Sequence, residues 1–162
     1  MYSYLPDNMI LNDKDIMNYM EMGLLVIEDF DPDNLTPNGY DLTIEKISVE
    51  ARTPYKEGSV VIPGSSWFAV STKEFIKFPS NVAGELWIRT SWARKGILAS
   101  FGMIDAGFQG NLTLSAYNTY KKIEIPIGDT FAQMVFHTLA GDVEKDYSQR
   151  SGNYQGKRGI NI

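Results

Sequence analysis

The chain has 162 residues, of which 43% are hydrophobic and 22% are charged. This length suits one domain, and this composition is typical of a folded globular protein, so disordered, collagen-like and coiled-coil classes are excluded. The formal net charge of −5 repels nucleic acid phosphates, so we expect no nucleic acid partner. The sequence has no cysteine and one histidine, His137. Disulfides, thiolate nucleophiles and zinc sites built from Cys or His are therefore excluded.

Neither a membrane span nor a secretion signal is predicted. No apolar stretch approaches the roughly 18 residues that a spanning helix needs. The first ten residues, MYSYLPDNMI, lack a basic region followed by a hydrophobic one. We therefore expect a cytoplasmic protein without a membrane partner.

One short helix and many short strands are predicted. The helix covers residues 13–22, where Asp13 is suited to cap its N-terminus and Gly23 to end it. The first long strand covers residues 40–49 and carries one bulge. Further strands are expected at residues 59–62, 67–71, 75–78, 85–89, 111–118, 123–127 and 131–139. Short strands separated by Gly, Pro and Ser predict an all-β sandwich or jelly roll over residues 1–146.

Residues 147–162, YSQRSGNYQGKRGINI, differ from the rest of the chain. This segment consists mostly of glycine, basic and other polar residues, and apolar residues are few before its last three positions. By composition it is a mobile, basic tail. Such a tail either frays in solvent or closes over an anionic ligand. The composition leaves both alternatives open.

A first candidate site follows a predicted strand in the segment RTSWARKG, residues 89–96. Thr90 or Ser91 is placed to cap a short helical turn. Free N–H groups at the start of such a turn, together with the hydroxyls and the flanking Arg89 and Arg94, suit a phosphate group. Capped turns beside a cation also occur without a ligand, so the pattern alone does not decide.

A second candidate site is GMIDAGFQG, residues 102–110, in which three glycines allow a tight hairpin turn. Asp105 has apolar neighbours in this segment. Its carboxylate either activates a water molecule as a general base or bonds its own backbone as a turn residue. Gln133 lies in an apolar strand and needs hydrogen-bond partners from a structural network or from a ligand.

The order of these motifs carries more information than any one of them. In chain order they are NGYDL (38–42), RTSWARKGI (89–97), GMIDAGFQG (102–110), LTLSAYN (112–118), GDTFAQMVF (128–136) and YQGKRG (154–159). This series strongly resembles the dUTPase and dCTP deaminase superfamily over nearly the whole chain. MILNDKDI (9–16) and the tail are most similar to the deaminase branch, which includes archaeal-type dUTPases. The resemblance implies a distorted jelly roll of the dUTPase-like β-clip type and a homotrimer with active sites between subunits.

The resemblance also implies a role for each matching residue. Asp105 would hold the reacting water or the sugar 3′-hydroxyl. Asp41 would lie near the Mg²⁺-bound triphosphate and contact the metal through water. Phe108 would pack under the deoxyribose, and main-chain groups around Ile104 would read the base. The implied phosphate contacts are Arg89, Thr90, Ser91, Arg94 and Gln133, and the implied closing residues of the tail are Tyr154, Lys157 and Arg158.

The superfamily carries out two reactions, and one residue separates them here. Its zinc-free deaminases use a Glu on the strand after the IDxGF turn, and the matching position in LTLSAYN is Ser115. A serine hydroxyl without its own base does not shuttle protons at neutral pH. This departure favours hydrolysis of dUTP to dUMP and pyrophosphate. A dCTP deaminase that takes its carboxylate from elsewhere and a nucleotide-binding protein without activity remain alternatives.

Overall fold

The computed structural model describes residues 9–162. The predicted absence of a secretion signal concerns residues that lie mostly outside this range. The described residues form thirteen strands, three short helices and one 3₁₀ turn at Pro32–Asn34. The strands are β1 (Val26–Ile27), β2 (Leu35–Thr36), β3 (Gly39–Val49), β4 (Ser59–Ile62), β5 (Ser66–Thr72), β6 (Ile76–Lys77), β7 (Val82–Ile88), β8 (Ile97–Leu98), β9 (Met103–Ile104), β10 (Gln109–Gly110), β11 (Thr113–Asn118), β12 (Ile123–Pro126) and β13 (Thr130–Thr138). The helices are α1 (Asp13–Glu21), α2 (Thr90–Ala93) and α3 (Tyr147–Arg150). The predicted all-β jelly-roll class is confirmed.

The largest sheet positions most of the predicted site residues. Within the described part of the chain it has eight strands in the order β8-β11-β5-β3-β13-β7-β9, with β2 paired to β3. A second sheet contains β1, β6 and β10, and a third contains β4 and β12. Where β3 pairs with β5, the register shifts between Ile44 and Lys46, so the predicted bulge is confirmed.

A cluster of buried apolar side chains forms the core. Phe131 is its aromatic centre, with ring centroids 5.9 Å from Phe68 and 6.2 Å from Trp92. Tyr40 and Phe136 are fully buried in the same core. Burying one large apolar side chain contributes roughly 1.5–3 kcal/mol, so this cluster is a main source of the stability of the fold.

Strand β11 shows the predicted alternation. Leu114 is buried, whereas Ser115 is exposed on the opposite face. The strand begins at Thr113 rather than at the predicted Asn111. The Asn111 side chain instead donates hydrogen bonds to the carbonyl groups of residues 72–74, at 2.9, 3.1 and 3.0 Å, and so joins β11 to the end of β5.

The predicted cap of α1 is wrong by one residue. Asn12, not Asp13, accepts a hydrogen bond from the Asp15 N–H group. Asn12 has the extended backbone that an N-cap requires, whereas Asp13 is already helical. The helix ends at Glu21, and Gly23 follows with a φ of +68°, as its predicted terminating role requires. No described helix is long and apolar enough to cross a membrane.

The segment GMIDAGFQG is not the predicted hairpin, because its two strands belong to different sheets. β9 pairs with β7 in the largest sheet, whereas β10 pairs with β6 in the second sheet. Residues 105–108 between them form what we call the crossover loop. Gly107 has a φ of +81°, and a Cβ atom there would lie 2.5 Å from the Asp146 Cβ atom. Only glycine satisfies both constraints.

The tail lies along its own chain beside the crossover loop. The Gly156 N–H group donates to the Gln109 carbonyl at 2.8 Å, and the Asn111 N–H group donates to the Lys157 carbonyl at 3.1 Å. These bonds place the tail alongside β10 and the residue that follows it. The mobility of the tail and the domain boundary after residue 146 stay predictions.

Candidate active site

Polar residues from three adjacent strands meet at one end of the largest sheet. Asp41 on β3 lies opposite Gln133 on β13, which lies opposite Trp87 on β7. Arg89 follows β7, and its Nε atom is 3.0 Å from Asp41 Oδ2. The Arg89 Nη1 group also donates to Thr130 Oγ1. We call Asp41, Arg89, Thr130 and Gln133 the polar cluster.

Close approach of β3 and β13 holds the polar cluster together. A Cβ atom at Gly39 would lie 2.5 Å from the Met134 carbonyl oxygen, so a larger residue would push the two strands apart. The Gln133 amide donates to Thr36 Oγ1 at 2.9 Å. Gln133 therefore has the structural partner that its position in an apolar strand requires.

The two charges of the polar cluster influence each other. Burial raises the pKa of the Asp41 carboxyl above its ordinary value, and the positive charge of Arg89 acts in the opposite direction. The Asp41 side chain is 12% exposed, whereas that of Arg89 is 39% exposed. Arg89 thus favours the ionised form of Asp41 while part of its guanidinium group stays in contact with solvent.

Helix α2 starts directly after the polar cluster. Its N-cap is Arg89, and no described side chain caps it, so the predicted cap by Thr90 or Ser91 is wrong. The reason is the extended backbone of Arg89, which makes Thr90 the first helical residue. The side chains of Thr90, Ser91 and Arg94 are all exposed at this end of the sheet. This arrangement is open to a phosphate group.

A second group of predicted residues lies on and beside the crossover loop. Asp105 is exposed, whereas Ile104 and Phe108 are buried. The Phe108 ring packs edge-on against Tyr147 of α3, with 5.4 Å between the ring centroids. Asp105, Phe108 and Tyr154 are among the residues that line a cavity of about 390 Å³.

Ser115 lines a neighbouring cavity of about 350 Å³. The other described residues that line it are Phe108, Asn111, Leu112, Thr113, Tyr154 and Asn161. None of these side chains carries a carboxylate. Glu124, the first acidic residue after Ser115 in the sequence, lies on β12 in the separate two-stranded sheet. The lining residues therefore offer no acidic side chain to replace the missing Glu.

The two groups of residues lie at opposite ends of β7. Ile104 is paired with Gly84 near the start of the strand, whereas Arg89 follows its end. An extended chain rises about 3.3 Å per residue, so Gly84 and Arg89 are about 17 Å apart. One chain thus contains two separate candidate half-sites, the polar cluster and the crossover loop.

The three predicted closing residues of the tail have different surroundings. Tyr154 lines both cavities beside the crossover loop. The Lys157 Nζ atom lies 5.0 Å from the centre of the Tyr154 ring. Arg158 forms an ion pair of 2.7 Å with Glu28 and lies 4.3 Å from the centre of the Phe75 ring. The charge of Arg158 is therefore engaged on its own chain.

Sequence reasoning missed three residues of these half-sites. Thr130 contacts Arg89 and, through its carbonyl oxygen, accepts a hydrogen bond of 2.8 Å from Trp92 Nε1. Thr130 belongs to the GDTFAQMVF motif, so the sequence did contain a pattern that could have indicated it. Tyr147 and Gln155 contact the crossover loop from a distant part of the chain, and no local pattern marks them.

The described residues contain no group of three or more His, Cys, Asp or Glu side chains that could hold a metal ion. Asp41 is the only carboxylate of the polar cluster. Mg²⁺ in proteins is commonly bound by one or two carboxylates together with substrate phosphates and water. The polar cluster therefore fits a Mg²⁺ ion that arrives with a triphosphate.

Comparison with known proteins identifies the family. Residues 45–139 match a family described as dCTP deaminase-like. The dCTP deaminase of Pyrococcus horikoshii is 41% identical over 136 residues, which cover 82% of this chain and 85% of that protein. The chain belongs to the dUTPase and dCTP deaminase superfamily. The predicted family is therefore confirmed.

Both branches of the superfamily appear among the similar proteins. A probable deoxyuridine 5′-triphosphate nucleotidohydrolase of Sulfolobus islandicus rod-shaped virus 1 is 31% identical over 157 residues, covering 95% of this chain and 98% of that protein. The structure of dCTP deaminase from Agrobacterium tumefaciens matches with a TM-score of 0.71 and 20% identity, over 82% of this chain and 49% of that chain. The structure of the EIAV dUTPase matches with a TM-score of 0.52 and 22% identity, over 78% of this chain and 98% of that chain. These two structures support the superfamily fold.

Proposed function

We propose that this member of the superfamily hydrolyses dUTP to dUMP and pyrophosphate. The observation that carries the proposal is Ser115 in a cavity without a carboxylate lining. Deamination of cytosine requires a group that moves protons to the ring and to the leaving amine. A serine hydroxyl beside apolar, amide and other hydroxyl side chains does not supply one. Hydrolysis at the α-phosphorus requires no acidic side chain next to the pyrimidine ring.

In the proposed reaction, Asp105 orients the attacking water and takes its proton. The water oxygen bonds to the α-phosphorus while the bond from that phosphorus to the oxygen bridging to the β-phosphate breaks. Pyrophosphate then leaves with that bridging oxygen. Arg89 stabilises the charge that develops on the phosphoryl oxygens. Asp41 would hold, through water, a Mg²⁺ ion that arrives with the substrate, and that ion would offset the charge of the triphosphate.

The remaining predicted residues bind the substrate in this proposal. Phe108 packs under the deoxyribose, and main-chain groups near Ile104 read the uracil. Tyr154 and Lys157 close over the nucleotide and exclude bulk water. Arg158 anchors the docked tail, because its charge is already paired with Glu28. The triphosphate contacts are Thr90, Ser91, Arg94 and Gln133.

We further propose a homotrimer in which the polar cluster of one chain meets the crossover loop of another. Two half-sites about 17 Å apart on one strand do not reach the same α-phosphate and sugar. The outer face of β7 and β9 between them exposes two large apolar side chains, Trp87 and Met103, each 57% exposed, beside the Glu85–His137 ion pair. Both side chains lie on the same face of the sheet, because Met103 pairs with Glu85 two positions from Trp87. Exposed large apolar side chains of this kind favour contact with another chain.

Deamination of dCTP is the second candidate function. It is favoured by the names of the Pyrococcus relatives, of which the Pyrococcus furiosus dCTP deaminase is 40% identical over 141 residues. It requires a carboxylate that the described residues lining the Ser115 cavity do not provide. The products formed from each nucleotide separate the two candidates.

We expect dUMP and pyrophosphate from dUTP and no change in dCTP when each is incubated with the protein and Mg²⁺. Anion-exchange chromatography of the two mixtures identifies the products, and the Asp105→Asn variant is the control for contaminating activity. Formation of dUTP or dUMP from dCTP would contradict the proposal and establish a deaminase. No reaction with either nucleotide would favour the binding-only alternative.

Deletion of residues 150–162 should lower kcat/KM for dUTP by at least about tenfold, because the open site admits bulk water and loses the contacts of the tail. The oligomeric state should not change, since Trp87 and Met103, the exposed apolar side chains of the proposed contact, lie outside the removed segment. Steady-state kinetics and size-exclusion chromatography measure the two effects. Deletion of Ile162 alone, which is 75% exposed, is the control. An unchanged rate after the larger deletion would identify the tail as a frayed terminus.

A further inference from the structure

The Gln155 side chain joins the tail to the main chain of the crossover loop. Its Oε1 atom accepts a hydrogen bond of 3.1 Å from the Gln109 N–H group. Its Nε2 group donates a hydrogen bond of 3.0 Å to the Gly107 carbonyl. These two main-chain groups flank Phe108 on either side. One amide thus uses both its donor and its acceptor to hold the two ends of this residue.

The peptide groups of Phe108 itself are bonded within the crossover loop and to the body of the protein. Its N–H group donates to the Asp105 carbonyl at 3.1 Å, and its carbonyl accepts from the Phe78 N–H group at 2.9 Å. The Gly107 N–H group donates to the Pro79 carbonyl at 3.2 Å. Of these five bonds around Phe108, the body of the protein provides two, the crossover loop itself one and the tail two.

This loop needs external support because one glycine within it and another in β10, directly after it, have unusual conformational freedom. Gly107 and Gly110 have φ values of +81° and +155°, in regions where glycine moves with little steric restriction. The Phe108 ring itself packs against Tyr147, which belongs to the same tail segment. The position of the ring thus depends on the docked tail through both the main chain and the side chain.

We infer that Gln155 is a positioning residue for Phe108, and that docking of the tail sets how strictly the site separates deoxyribose from ribose. The inference rests on the proposed function, because it takes the deoxyribose of dUTP as the group that Phe108 contacts. A ring held in place leaves no space for a 2′-hydroxyl. A loop released from Gln155 allows the ring to retreat and makes that space. Triphosphate binding is unaffected, since it belongs to the distant polar cluster.

Two matched variants test the contact in the protein without ligand. Gln155→Glu keeps an acceptor for the Gln109 N–H group but loses the donor to Gly107. Gln149→Glu adds the same charge to the same segment, and its carboxylate still accepts from the Asp146 N–H group. Hydrogen exchange of residues 103–110, followed by mass spectrometry, should be about tenfold faster in Gln155→Glu and unchanged in Gln149→Glu. Gln155→Met, which lacks both hydrogen bonds, should show at least the same increase.

Sugar preference tests the consequence. We expect the ratio of dissociation constants for α,β-imido UTP and α,β-imido dUTP, measured by calorimetry, to fall about tenfold in both Gln155 variants. A loss of overall stability alone would not change this ratio. Unchanged exchange in the loop, or an unchanged ratio with measurable binding, would overturn the role of Gln155. Faster exchange in the Gln155 variants, together with a wild-type protein that neither binds the analogues nor hydrolyses dUTP, would count against the proposed function and leave the structural role of Gln155 supported.

Discussion

Replacement of Asp105 by asparagine should lower kcat for dUTP by about a hundred- to ten-thousand-fold, the range that general-base catalysis supplies. Asparagine has the same size but does not accept the proton of the attacking water. Asp105 is exposed on the crossover loop, so the substitution should change the stability of the fold by less than about 0.5 kcal/mol. Nucleotide binding should persist, because the phosphate contacts lie on a different half-site.

Single-turnover kinetics and calorimetry with α,β-imido dUTP measure the two properties of this variant separately. Asp13→Asn is a matched control, because Asp13 is an exposed acid on α1 that accepts a hydrogen bond from the adjacent Lys14 N–H group. It should match the wild-type protein in both measurements. A near wild-type kcat in Asp105→Asn would remove Asp105 from the proposed reaction.

Replacement of Arg89 by glutamine should lower kcat/KM for dUTP by about a hundred- to a thousand-fold, as expected for the loss of one group that stabilises transition-state charge. The variant also leaves Asp41 without its cation. Because burial raises the pKa of Asp41, its unpaired charge should destabilise the fold at neutral pH. The loss of stability relative to the wild-type protein should become smaller as the pH falls, since protonation of Asp41 removes the unpaired charge.

Thermal unfolding at several pH values, together with steady-state kinetics, distinguishes the catalytic from the structural effect of Arg89. Arg52→Gln is the control, because Arg52 pairs only with Glu50 on an exposed turn among the described residues. Arg89→Lys keeps the charge but lacks the planar fork, so most of the activity loss should remain. A kcat/KM close to that of the wild-type protein in Arg89→Gln would restrict Arg89 to holding Asp41 and Thr130.

The fold was largely predictable because its strands carry strong local signals. The bulged strand β3 and the alternating strand β11 follow from the period of their apolar residues. Pairing between strands was less accessible, because it depends on contacts between distant parts of the chain. GMIDAGFQG has the glycines of a hairpin, yet β9 and β10 pair with different sheets. Local turn chemistry does not determine which strand lies next to which.

The candidate site was predictable only through the order of its motifs. Asp41 and Gln133 lie opposite each other on paired strands, although nothing in their spacing indicates it. The resemblance to a family placed both of them on the phosphate side. Tail contacts such as that of Gln155 were not predictable, since an amide that bonds main-chain groups leaves no pattern in the sequence. The surroundings of Arg158 were missed for a similar reason, because Glu28 belongs to a distant loop.

The separation of the half-sites on β7 has a genetic consequence. On the assembly we propose, every defective copy of the chain enters two sites rather than one. In a cell with equal amounts of intact chains and chains defective in both halves, only about a quarter of the sites would combine two intact halves. A damaged gene for this protein would therefore act dominantly over an intact one.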